Sequence, residues 1–290
     1  DFVLLGAPKC GTTSLASWLS NTSGIKFSDP KEPHFFNVDH NEPWRPSRAQ
    51  YENILRRVNN NDLVGEGSVW YLLSSCAISE IEKENPQCRY IICIRNPVDM
   101  AISLHQQQLY SGNEDVESFE KAWGLCSERR QGKRIPRTCP EPAFIDYQVA
   151  CKLGSQIERV LSQVEASRVK LVFLDDMRNF PMTTYKSVLD FLGVPFDGTA
   201  SLEHLNFAKV RRYLFLRRIT KSLGLWKSKY FPLKGLGILK YLDSLNSYEK
   251  KIDQLDEKFK KDLYDFFVED INLLERLSER DLSNWKNIKS

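Results

Sequence analysis

"GAPKCGTTSL", residues 6–15, follows the apolar run "FVLL" almost at the start of the chain. The glycine turn ends a short strand, and Leu15, Trp18 and Leu19 then recur at helical spacing, so the stretch reads as strand, loop and helix. Gly6 and Gly11 allow tight turning and close approach of the backbone to an anion. The N–H groups of a helix starting near Thr12 attract a phosphate, and Thr12, Thr13 and Ser14 add hydroxyl donors. A nucleotide triphosphatase loop carries a lysine after its second glycine. Here Thr12 stands in that place and the lysine lies ahead of it, at Lys9.

Outward from this loop, strand-like and helix-like segments alternate. "GIKF" (24–27) reads as a second strand, and Ser47 as the cap of a helix carrying Tyr51, Ile54, Leu55 and Val58. "RYIICIR" (89–95) is a buried strand, and Pro97 suits the first turn of a helix running toward Tyr110. Residues 144–166 read as one helical stretch, "VKLVFLDD" (169–176) as a strand, and "TTYKSVLDFLG" (183–193) as a helix with a glycine stop. The fold class expected is α/β, with a P-loop-like, mostly parallel sheet flanked by helices on both faces. One domain is expected over residues 1–290, its core at about 1–205 and a helical, basic C-terminal part at about 206–290.

Composition narrows the classes. The chain has 290 residues, 41% hydrophobic and 27% charged, as in ordinary globular proteins. A net charge of +3 says little about partners, but residues 209–242 hold ten Lys or Arg and no acid. No apolar run approaches the ~18–20 residues that span a bilayer. The seven cysteines are scattered and never form C-x-x-C, which argues against a zinc site or a disulfide framework. No metal is expected. A reducing, cytoplasmic setting is favoured. The chain opens inside a strand, so a targeting segment ahead of it is not excluded, and an animal source would instead suggest the Golgi lumen.

Two motifs carry a resemblance. "PKCGTTSL" (8–15) resembles the 5′-phosphosulfate loop of sulfotransferases that use 3′-phosphoadenosine-5′-phosphosulfate (PAPS). "RNPVDMAIS" (95–103) resembles their 3′-phosphate motif, R-[ND]-P with a serine about eight residues on. "KEPHFF" (31–36) and "GEGSVWYL" (65–72) are similar to segments of the heparan-type branch, while "FLGVP" (191–195) and "DLSNW" (281–285) resemble bacterial members.

The resemblance implies a role for each matching position. Lys9 would sit at the bond between sulfur and the bridging oxygen, and Cys10, Gly11, Thr12, Thr13 and Ser14 would hold the 5′-phosphate. Arg95 and Ser103 would select the 3′-phosphate. Around Lys209, Arg211 and Arg212 the chain resembles a late basic loop that closes over the nucleotide. Glu32 is the first choice of general base, with His34 and His105 as alternatives. The acceptor would be a hydroxyl or amine, on a carbohydrate or a lipid-linked molecule. The basic-aromatic run also leaves peripheral membrane contact open, whereas no signature of a nucleic-acid module is present.

Two other readings stay open at this level. "VKLVFLDD" has the outline of a strand ending in a magnesium-binding acid, as in a P-loop kinase using Mg-ATP, with Asp175 or Asp176 as the ligand. Alternatively, the 209–240 run belongs to a non-catalytic module that binds an anionic partner.

Overall fold

The computed structural model describes residues 1–57, 59, 61–198, 202, 210–211, 247–248 and 255–286. The described chain gathers into two compact units, one of residues 1–100, 152–206 and 262–290, the other of residues 101–151 and 207–261.

The first unit is built on five parallel strands: β1 (Phe2–Gly6), β2 (Ile25–Phe27), β3 (Leu63–Glu66), β4 (Arg89–Ile94) and β5 (Val169–Phe173), in the order β2-β3-β1-β4-β5. Strands buried on both faces need continuous apolar runs, and "FVLL" and "YIICI" supply them. From β1 the chain winds outward to β2, returns through β3, and crosses to β4 on the other side. Ligands of open α/β sheets bind at such a reversal, beyond the C-terminal strand ends. The loops after β1 and β4 both lie there.

Helices α1 (Thr12–Ser20), α2 (Arg48–Ile54), α3 (Ala77–Glu84) and the start of α4 (Pro97–Ser111) connect these strands. Ser47 caps α2 as expected and forms a reciprocal capping box with Gln50. Strand β3, which periodicity did not single out, is held between β2 and β1. Gly65 makes room there: a Cβ would lie 2.2 Å from the Phe2 ring.

The second unit holds the rest of α4, α5 (Phe119–Gly124), α6 (Cys126–Arg130) and α7 (Tyr147–Ala150). A buried ion pair anchors it. Arg129 donates to both oxygens of Glu114, at 2.7 and 2.8 Å, and the Tyr147 hydroxyl donates to Glu114 at 2.7 Å.

Two expectations are corrected. Residues 144–166 are not one helix: α7 ends at Ala150, and α8 (Leu153–Leu161) starts afresh in the first unit. The restart is stabilised by Asp270 on α11 (Glu257–Ser278), whose carboxylate accepts from the N–H groups of Gly154 and Ser155 at 2.8 and 2.9 Å. No local sequence signal carries that cap. The strand expected over 169–176 ends at Phe173, and Leu174 opens α9 (Leu174–Asn179). Asp175 and Asp176 fall in its first turn, where acids suit the helix dipole. Helix α10 (Pro181–Leu192) then stops at Gly193, φ +73°, as read from the sequence.

Candidate active site

The loop between β1 and α1 is shaped by close packing on both sides. Gly6 has φ +142°, and a Cβ there would lie 2.5 Å from the Val69 carbonyl. Gly11, φ +90°, sits over α9, where a Cβ would come 2.8 Å from Leu174 Cδ1. Lys9 itself adopts φ +64°, a conformation that costs energy for a non-glycine residue and turns up at functional sites. No side chain caps α1 and no acid occupies its first turn, so the partial positive charge of the helix start is not offset locally. Thr12 and Ser14 are buried, Thr13 is exposed, and the Cys10 thiol is pushed up to about 12 by burial. That thiol is inert and faces Met100 Sδ at 3.7 Å.

Arg95 leaves the end of β4 and donates from Nη1 to the Lys9 carbonyl at 3.2 Å. Its Nε is buried and makes no hydrogen bond. A buried guanidinium N–H is costly to leave unmade, so the fork is built to receive an acceptor. Burial, and after it the Arg95 charge, holds the Lys9 ammonium below the ordinary lysine value. Two cations that repel in this way favour the binding of an anion.

Lys31, Glu32 and His34 lie beside the loop. Lys31 Nζ reaches Thr12 Oγ1 at 3.4 Å and Glu32 Oε1 at 2.7 Å, while His34 Nε2 stands 3.4 Å from Glu32 Oε2. Burial pushes the Glu32 carboxyl up. Its contacts with His34 and Lys31 more than offset that, leaving it below the usual carboxylate range. Glu32 is therefore ionised at neutral pH.

The segment after Glu32 is fixed by two hubs, the half-buried Arg45 and the buried Glu66. Arg45 clasps it, donating from Nη1 to the carbonyls of His34 and Phe35 and from Nη2 to those of Asn37 and His40, at 2.8 to 3.0 Å. Glu66 accepts from the hydroxyls of Tyr51, Ser68 and Tyr71, and Tyr71 in turn accepts from the N–H groups of Phe35 and Phe36. Burial raises the Glu66 carboxyl despite those donors. Glu66 and Tyr71 thus hold the wall of the site in shape.

Ser103 is half-buried on α4, in the second unit. His105 is buried in that same unit, with Nε2 on the Val116 carbonyl at 2.8 Å and its ring against Phe119 and Tyr147. Lys209 and Arg212 lie outside the described residues. Arg211 is described in its backbone alone, pairing with Ser247 where β6 (Val210–Arg211) meets β7 (Ser247–Tyr248). Asp176 is held by Arg280 at 2.8 Å. Among the described residues no cluster of His, Cys, Asp or Glu could hold a metal, and no helix is long and apolar enough to cross a membrane. Sequence reasoning passed over three contributors: Lys31, Glu42 and Arg45. For Lys31 the pairing with Glu32 was visible, but nothing local marked the other two.

An uncapped helix start, a strained lysine and a guanidinium whose buried Nε lacks a partner, meeting where a parallel sheet reverses, define a protein that binds a phosphorylated nucleotide. The chain belongs to the sulfotransferase domain family, which it matches over residues 1–234. That family uses PAPS as sulfuryl donor and acts on hydroxyl or amine acceptors. The chain is similar to the mouse heparan sulfate glucosamine 3-O-sulfotransferases 3B1 and 3A1, 27% identical to each over 259 residues. The match takes in 87% of this chain and 62% of those proteins. Its fold is also that of a sulfotransferase from Alicyclobacillus acidocaldarius, with a TM-score of 0.74 and 22% identity over 99% of this chain and 98% of the other.

Proposed function

We propose that this chain transfers a sulfuryl group from PAPS to a hydroxyl of a carbohydrate acceptor. The observation that carries this reading is the Arg95–Lys9 contact, which brings the two phosphate motifs together at the sheet reversal. The residues fit the donor: Arg95 Nε is buried without a partner, and Gly11 lets the loop pack on α9 while the start of α1 carries no side-chain cap. When bound, PAPS supplies the sulfuryl group, with adenosine 3′,5′-bisphosphate (PAP) as leaving group.

The α1 N–H groups and the hydroxyls of Thr12, Thr13 and Ser14 hold the 5′-phosphate, with Cys10 and Gly11 giving the loop its shape. Arg95, whose buried Nε is without a partner, receives the 3′-phosphate. Lys9 places an ammonium where negative charge develops on the leaving oxygen. It thereby stabilises the transition state more than the ground state. Glu32, ionised and beside the loop, takes the proton from the acceptor hydroxyl. His34 rather than His105 assists it, because the His105 ring nitrogen is already committed to a backbone carbonyl. The carbohydrate assignment rests on the similarity to the two mouse enzymes and on "KEPHFF".

Labelled PAPS incubated with a panel of sugar, lipid-linked and small hydroxyl or amine acceptors tests the reading, alongside calorimetry with the desulfonated nucleotide PAP. Transfer to a sugar hydroxyl is expected, with PAP bound in preference to ADP. Equal binding of PAP and ADP would overturn it.

A further inference from the structure

Resting on that reading, we propose that Glu42 is a positioning residue for the transfer: it fixes the imidazole of His34 with Nδ1–H turned to itself and Nε2 open to the proton that Glu32 collects.

The imidazole stands between two carboxylates. His34 Nε2 is 3.4 Å from Glu32 Oε2, and His34 Nδ1 is 3.5 Å from Glu42 Oε1. Nδ1 is buried and makes no hydrogen bond. Each ring nitrogen faces a carboxylate, but Glu32 already accepts from the Lys31 ammonium at 2.7 Å and is a third exposed. The more buried Glu42 has, among the described residues, no cation beside it other than the ring, so the hydrogen belongs on Nδ1. The Glu42 side chain is only 7% exposed and is itself oriented by Asn37, whose Nδ2 donates to Oε1 at 3.2 Å.

His34 is held as a functional residue is held. Its backbone has φ +52°, strained for a non-glycine residue. The strain is over-determined from both sides. The His34 N–H donates to Ser68 Oγ at 2.9 Å, and its carbonyl accepts from Arg45 at 2.8 Å. The ring packs edge-on against Tyr71, at 6.4 Å and 87°. A packing role alone would not need a strained backbone aimed between two acids.

The proton path follows from this arrangement. The O–H bond of the acceptor breaks, its electron pair forms the new O–S bond as the bond from sulfur to the bridging oxygen breaks and PAP departs with the pair of that broken bond, and the proton goes to Glu32. It then passes from Glu32 Oε2 to His34 Nε2, leaving an imidazolium whose charge Glu42 balances. Glu32 is a carboxylate again, and His34 returns the proton to solvent between turnovers. Glu42 touches neither acceptor nor donor, and acts through His34.

The chain has four histidines, so the full protein labelled with ¹⁵N-histidine gives a sparse spectrum in which long-range ¹⁵N–¹H correlations separate the two neutral tautomers. His34→Gln assigns the His34 signals. The Nδ1–H form is expected for wild-type His34, and Glu42→Ala should revert it to Nε2–H, with the signals of His105 unmoved as a check on folding. Glu42→Gln, which keeps an acceptor for Asn37, is expected to retain the fold and lose the charge. In turnover, Glu42→Ala should lower kcat about 10- to 100-fold, part of the ~10²–10⁴ a general base supplies, with PAP affinity unchanged. It should cost nothing further in a His34→Gln background. An Nε2–H tautomer in the wild type, or losses that multiply in the double variant, would overturn the proposal. If the wild type transfers no sulfuryl group, the functional reading falls with its kinetic arm. The spectra still decide the placement of the Nδ1 hydrogen.

Discussion

Arg95 donates to the backbone carbonyl of Lys9, 86 residues earlier in the chain, at 3.2 Å. The residue that would grip the 3′-phosphate therefore also steadies the loop that would present the ammonium. Arg95→Ala is expected mainly to weaken PAP binding, with a smaller fall in kcat from the loosened loop. Lys9→Ala should instead lower kcat far more than PAP affinity. Calorimetry and steady-state rates on both variants separate these effects. Equal losses of affinity in the two would contradict the division of roles.

Glu32 is ionised beside the Lys9 loop, whereas the His105 Nε2 is bound to the Val116 carbonyl. Glu32→Gln should reduce kcat by about 10²–10⁴, as expected on removing a general base. A fall under tenfold would move the assignment away from Glu32. His105→Gln should leave kcat within a few-fold of wild type once the protein is folded.

His105 should instead register in stability. Burial holds its folded-state pKa below the ordinary value of about 6.5, with the Val116 carbonyl and Glu114 opposing and Arg129 assisting. As pH falls through that value, the unfolded chain takes up the proton first. Stability is therefore lost between about 6.5 and the lower folded value, and the group has no such effect above 6.5. Urea midpoints of wild type and His105→Gln, compared at pH 7.5 and 5.5, should show the steeper fall in the wild type. Parallel falls would refute this account.

Gly6→Ala combines a φ of +142° with a Cβ placed 2.5 Å from the Val69 carbonyl. Backbone cannot yield as a side chain tip can. A loss of at least about 2 kcal/mol of stability is expected, together with loss of PAP binding. Unchanged denaturant midpoints would show that the β1–α1 loop rearranges freely.

The first loop and its helix were legible because strand, glycines and hydroxyls are contiguous, and α1 begins at Thr12 as the pattern implied. The span 144–166 misled because a helical pattern does not reveal where a helix stops. Asp270, more than a hundred residues on, supplies the cap that restarts it. Strand β3 was hidden for a similar reason: four residues containing a glycine read as strand only when β1 and β2 flank them. In the site, Lys9, Glu32, His34 and Arg95 announced themselves through motifs. Glu42 did not, since only the folded course of residues 34–45 brings it to the imidazole.

The four carbonyls gathered by Arg45 make residues 34–45 a cassette locked from within. Val38 and Trp44, 62% and 50% exposed, ride on its outside and take no part in those four bonds. Diversifying these two positions in a library would therefore change the face shown to solvent while Glu32 and His34 keep their places, which makes the cassette a natural handle for redirecting the enzyme.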